Sequence, residues 1–72
     1  MYKEVFPVRI KAKRQELGLT QMKESADTGI NQSKISKYET GALEPDLENL
    51  GILANYYQIS LDWLLGNTIT AQ

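Results

Sequence analysis

The chain has 72 residues, a formal net charge of −1, no cysteine and no histidine. One small domain with a thin core is expected at this length. Without cysteine there are no disulfides or thiolate metal sites. Without histidine, the commonest metal ligand and the usual proton carrier near neutral pH are both missing.

The charge is unevenly spread. Residues 1–37 hold all eight Lys/Arg and four acids, a net +4, whereas residues 38–72 hold five acids and no base, a net −5. Such a division suits a surface facing nucleic acid or an oppositely charged protein; an evenly solvated surface is the plainer alternative. No apolar run approaches the roughly 20 residues needed to span a bilayer. The start, MYKEVFPVRIKAKR, lacks the apolar core of a signal peptide. A soluble cytoplasmic protein is expected, with no membrane partner, no cofactor and no metal. An enzyme is not expected, because catalysis would rest on carboxylates, Lys or Tyr and no paired-carboxylate pocket is suggested.

Prolines and glycines punctuate the chain into five expected helices. Tyr2, Val5 and Phe6 precede the first as a short arm, either covering the core or exposed for a dimer. The first helix starts at Pro7, since proline suits the first helical position, and ends near Leu17 with Gly18 as terminator. Ile10, Arg14 and Leu17 share one of its faces. Thr20 caps the second, which runs to about Thr28 before Gly29. Asn31 caps the third, which runs to about Glu39 before Gly41. Asp46 caps the fourth, with Leu47, Leu50, Leu53 and Ala54 as its apolar stripe. Ser60 caps a short fifth helix that reaches Gly66. Trp63, Leu64 and Leu65 belong to the core, and Tyr56 and Tyr57 divide between core and surface. The single domain, 1–72, thus has a core over 6–66, a helix-turn-helix over about 20–40 and a loose tail, NTITAQ, over 67–72.

A residue before an N-cap commonly packs on the fourth helical residue. Ile30 with Ile35 and Ile59 with Leu64 obey this rule; Leu19 with Glu24 breaks it. The second and third expected helices are joined by GIN alone, a tight glycine-containing turn of the helix-turn-helix kind. Ile30 and Ile35 would anchor the turn, leaving Gln32, Ser33, Ser36 and Lys37 facing outward near the start of the third helix. That set suits DNA: Gln pairs with adenine, Lys donates to guanine and Ser serves either, and recognition helices meet base edges with their first residues. Gln21 begins the second helix, where its amide and backbone N–H suit a phosphate. Lys11, Lys13, Lys23 and Lys34 would add sequence-independent attraction, although Lys34 also reads as a plain solvated lysine. Tyr38 would bury its ring and turn its hydroxyl to solvent or phosphate.

The segments RIKAKRQELGLTQ (9–21), GINQSKISKYETG (29–41) and EPDLENLGILANYYQISLDWLLG (44–66) resemble the Cro/C1-type (XRE-like) helix-turn-helix family of phage repressors and related bacterial regulators. The resemblance implies an all-α, compact five-helix, lambda-repressor-like domain that binds double-stranded operator DNA as a homodimer. By position it makes Gln21 the phosphate-binding glutamine and Asn31, Gln32, Ser33 and Lys37 base-reading residues. It makes Arg14 and Glu39 a buried ion pair joining the first and third helices. A chain this short resembles the small Cro-like or antirepressor members of temperate-phage lysis–lysogeny switches.

Three departures from the family pattern point elsewhere. Glu24 and Ser25 stand where an aliphatic residue and alanine are usual. An unpaired carboxylate in a small core is costly. Glu24 is therefore paired with a base, or on a rotated helix, or exposed for a partner, or partly solvated. The loop GALEPD is acidic, so Glu44 and Asp46 would repel phosphate. The net charge is slightly negative, whereas strong DNA-binding domains are usually basic. The alternative function is a modulator that binds a partner repressor through an acidic surface of Glu24, Asp27, Glu44 and Asp46.

Overall fold

The computed structural model of the protein describes residues 2–66, with side chains from Lys3 onward. Five helices follow one another: α1 (Tyr2–Glu16), α2 (Gln21–Thr28), α3 (Gln32–Thr40), α4 (Leu47–Tyr57) and α5 (Leu61–Leu65). No strand occurs among the described residues. None of these helices is long and apolar enough to cross a membrane. The expected tail, 67–72, and the side chain of Tyr2 lie outside the described residues.

Short polar caps start four of these helices. Thr20, Asn31, Asp46 and Ser60 each accept a hydrogen bond from a backbone N–H of the first helical turn. Glycine in the left-handed region closes α2 at Gly29 (φ 81°) and α3 at Gly41 (φ 83°), so each chain reversal is made without Cβ strain.

α1 corrects the expected start at Pro7. The helix begins five residues earlier, and Pro7 lies inside it, where it has no N–H to give the Lys3 carbonyl. Core burial offsets that lost bond. Phe6 is only 2% exposed, and its ring meets Tyr38 edge-on at 5.9 Å. The residues 5–6 expected as an arm are therefore part of a packed helix, and Val5 lies against Gly66. At the other end α1 stops at Glu16. Leu17, expected on a shared face with Ile10 and Arg14, falls beyond the last helical residue and is 54% exposed.

The core gathers Phe6 and Ile10 of α1, Ile30 of the turn, Ile35 and Tyr38 of α3, four residues of α4, and Leu64 of α5. On α4 the buried set is Leu50, Leu53, Ala54 and Tyr57, at helical spacing. Leu47, expected in that stripe, sits in the first turn past the edge of the bundle and is 82% exposed. Both working staples close, since Ile30 and Ile35 are buried and Ile59 packs against the core that holds Leu64. Trp63 and Leu65 are only partly buried. The Arg9 guanidinium lies 4.7 Å from the Trp63 ring centroid and donates to the Trp63 carbonyl, which ties α1 to α5.

α2 is the exception. It contributes no side chain to the apolar core; its one buried residue is Glu24.

Phe6→Ala should cost about 3–5 kcal/mol of stability in urea unfolding. A loss below about 1 kcal/mol would mean that the first turns of α1 are an appendage.

Candidate nucleic-acid interface

The site is built on an ion pair. Arg14 donates from Nε to Glu39 Oε2 at 2.6 Å and from Nη2 to Oε1 at 3.0 Å. Its Nη1 donates to the Leu19 carbonyl at 2.9 Å, in the segment that leads into α2. The planar fork thus joins α1, the approach to α2, and α3. The Glu39 side chain is 3% exposed. Its hydrogen bond and charge raise the Arg14 pKa above its ordinary value, although burial works against them. Gln21 completes the group by donating from Nε2 to Glu39 Oε1 at 3.1 Å.

The turn between α2 and α3 is held by α2's own hydroxyls. Ser25 Oγ donates to the Ile30 carbonyl at 2.6 Å. Thr28 Oγ1 donates to the Glu24 carbonyl at 2.7 Å and accepts from the Ile30 N–H at 3.1 Å. Ser25 therefore has a local role that the usual alanine does not supply.

With the turn fixed, α3 presents one polar face. Ile35 and Tyr38 point inward. At 3.6 residues per turn, Ser33, Ser36, Lys37 and Thr40 fall opposite them, with Gln32 and Lys34 flanking. Gln32, Ser33, Lys34, Lys37 and Thr40 are exposed, and Ser36 is half-buried. Thr40 was missed as a member of this face; its position in the last turn, next to the glycine cap, gave no signal. Asn31 is exposed, but its Oδ1 is engaged in capping, accepting from the Ser33 N–H at 2.7 Å. Gln21 commits one amide hydrogen to Glu39 and keeps the other, together with its backbone N–H at the start of α2.

The expected phosphate-facing residues divide. Lys11 and Lys34 are exposed and make no ion pair among the described residues. Lys23 is exposed but lies 3.2 Å from Asp27. Lys13 is half-buried, 3.4 Å from Glu16. Tyr38 departs from its expected role: the residue is 2% exposed, and its hydroxyl accepts from Asn49 Nδ2 at 2.9 Å, so it faces α4 instead of solvent.

The four acids expected as one partner surface do not form one. Glu24 is fully buried, so it is removed from any surface. Asp27 accepts from the Tyr56 hydroxyl at 2.7 Å, near the C-terminal end of α4. Asp46 caps the start of the same helix, accepting from the Asn49 N–H at 2.8 Å. The ten residues from Asp46 to Tyr56 place Asp27 and Asp46 about 15 Å apart along the helix axis. Glu44 lies beside Asp46 and pairs with Lys3 at 3.2 Å.

Glu24 finds neither a base nor a rotated helix. Its Oε1 accepts from the Tyr57 hydroxyl, and its Oε2 is buried without a hydrogen-bond partner. Burial is the largest influence and pushes the carboxyl above its ordinary range; Glu39 adds to this, while the Tyr57 hydrogen bond and Arg14 oppose it. The neighbouring clasp behaves differently. Hydrogen bonds from Tyr56 and Lys23 hold Asp27 low, and burial together with Asp27 pushes the Tyr56 hydroxyl up to about 12.

Residues 10–64 match the helix-turn-helix family model HTH_3, and the chain belongs to that family. It is 38% identical over 58 residues to the HTH-type transcriptional regulator ImmR of Bacillus subtilis, a match covering 81% of this chain and 46% of that protein. It is also 38% identical over 64 residues to the SPbeta prophage-derived uncharacterized HTH-type transcriptional regulator YonR of the same organism, covering 89% of this chain and 59% of the relative. A third relative there, the uncharacterized HTH-type transcriptional regulator YqaE, is 34% identical over 61 residues, covering 85% and 53%. The chain spans about half the length of these curated relatives.

The raised Glu24 pKa has a definite sign. Below its ordinary value of 4.5 the carboxyl is neutral both folded and unfolded. As pH climbs from there through the raised folded value, the unfolded chain ionises first and stability is lost. Glu24→Gln should therefore leave the urea midpoint nearly unchanged at pH 4 and raise stability by about 1–3 kcal/mol at pH 8. Equal effects at both pH values would contradict a buried neutral carboxyl.

Proposed function

We propose that this chain is a phage-type transcriptional regulator that binds double-stranded operator DNA through α3 in a lysis–lysogeny type switch. The observation that carries this reading is the α3 face. Gln32, Ser33, Ser36 and Lys37 stand near the start of one helix whose opposite side is buried and whose base is tied by Arg14 and Glu39. Asn31 beside them offers its free amide group. Gln21, Lys11, Lys23 and Lys34 would meet backbone phosphate; Lys13 and Lys23 would first have to leave Glu16 and Asp27. The relatives' names, all HTH-type transcriptional regulators and one prophage-derived, favour the same reading. In a homodimer the two α3 helices would lie about 34–36 Å apart, one turn of duplex.

A second reading rests on the acid-only second half of the chain. Leu47 is 82% exposed between Asp46 and Glu48, in a stretch without a single basic residue. That apolar point in an acidic field suits a basic partner, and the chain would then act as an antirepressor on a phage repressor. It would be a modulator of repression of the kind found in lactococcal temperate phages.

Selection of duplexes from a random pool tests the first reading. Gln32→Ala should weaken binding of the selected site by about 1–3 kcal/mol and relax preference at one base pair. Lys34→Ala should weaken all duplexes alike and lower the salt dependence. Intact protein that binds selected and random DNA equally would count against it. For the second reading, Glu44→Lys with Glu48→Lys should abolish capture of a candidate phage repressor, whereas Asp46 is left alone because it caps α4. Unchanged capture would remove the acidic face as the contact.

A further inference from the structure

Three features meet at α2. The first is its lack of apolar anchoring: Met22 is 68% exposed, Ala26 is exposed, and the only buried side chain is a carboxylic acid. Polar contacts carry its attachment, from Glu24 to Tyr57, from Asp27 to Tyr56, from Gln21 to Glu39 and from Ser25 to the Ile30 carbonyl. Opening such a helix withdraws no side chain from the apolar core, so it requires less free energy than unfolding the core itself.

The second feature is the charge count around Glu24. The groups facing it are Arg14 from α1, Glu39 from α3, and Tyr57 and Tyr56 from α4. Arg14 is the cation of this set; it donates to Glu39 and to the Leu19 carbonyl, and leaves Glu24 Oε2 without a donor. With Glu24 neutral, the enclosed cluster carries no net charge. With Glu24 ionised, it carries one uncompensated negative charge. On α2 itself, Asp27 and Lys23 pair with each other at the surface.

The third is geometric. Oε1 has one donor, the Tyr57 hydroxyl, and Oε2 is enclosed without any. A buried carboxylate needs several donors to replace water, and this one has a single one.

We propose that Glu24 and Tyr57 form a proton-linked latch, in which α2 closes onto α4 with the Glu24 carboxyl neutral and opens with that carboxyl ionised and hydrated. On opening, the proton passes to solvent and the Tyr57 hydroxyl exchanges its bond to Oε1 for one to water. Between the ordinary carboxyl value of 4.5 and its higher value in the closed helix, the opening equilibrium rises with pH, by at most about tenfold per unit; outside that window it is flat. Opening also releases the Ser25 and Thr28 bonds that hold the turn into α3, so the latch sets how firmly the polar face of α3 is presented. It operates whatever that face meets.

The test is native-state amide hydrogen exchange of the intact chain from pH 4.5 upward, corrected for intrinsic exchange, on wild type, Glu24→Gln and Tyr57→Phe. The Glu24 carboxyl carbon is followed by NMR in the wild type. Protection of α2 amides in the wild type should lie below that of α4 amides and fall by up to about tenfold per pH unit within the window; α4 amides, which exchange on global unfolding, should start higher and keep that margin. Glu24→Gln should abolish the slope. Tyr57→Phe should lower α2 protection at every pH and keep the slope. The Glu24 carbon should titrate above 4.5. The latch is overturned if α2 amides are as well protected as α4 amides across the window, so that α2 opens only with the whole domain, or if Glu24→Gln keeps the wild-type slope. A Glu24 titration at or below 4.5 overturns it too, and that readout needs no variant to fold.

Discussion

Arg14 and Glu39 hold this small domain in register. One guanidinium reaches from α1 to the carboxylate of α3 and to the carbonyl of Leu19, and Gln21 at the start of α2 leans on the same carboxylate. The orientation of α2, the entry into the turn and the pitch of α3 all pass through this contact. Buried ion pairs offset their own desolvation poorly, so its chief contribution is geometry. Removing one partner would leave the other charge enclosed, and this dependence makes the arrangement specific.

The rest of the domain divides its labour around that contact. α1, α3, α4 and α5 supply the apolar core, and Phe6 against Tyr38 extends it to the first turns of the chain. α2 supplies none of it and is held by polar bonds, two of which run from adjacent tyrosines to carboxylates three residues apart. Hydrophobic burial therefore fixes α3, and hydrogen bonding fixes α2. An element held by polar bonds opens locally at a lower free energy than the core around it.

Much of this was legible in the sequence because the signals are local. Thr20, Asn31, Asp46 and Ser60 mark four helix starts, and Gly29 and Gly41 mark the stops on either side of α3; each is a property of a few neighbouring residues. The outward face of α3 followed from the anchoring pair Ile30 and Ile35. What sequence alone did not reveal depended on distant contacts. Pro7 carries a start signal, but the burial of Phe6 against Tyr38, contributed from the third helix, draws the helix through it. Tyr57, the partner of Glu24, lies 33 residues away along the chain, and no periodicity connects them. The fate of the Tyr38 hydroxyl turned on Asn49 in the same way. Leu47 fits the apolar spacing of α4 but lies beyond the edge of the bundle, and spacing alone cannot report where a bundle ends.

The central claim is that the face of α3, set by Arg14 and Glu39, meets nucleic acid. Amide chemical-shift mapping during titration with a short random-sequence duplex at low salt tests it most directly, since sequence-independent binding uses the same phosphate contacts. The account predicts the largest shifts at Gln21 and over residues 31–37, with the loop over 43–48 unmoved. Shifts confined to residues 43–48, or no shift at all, would contradict it.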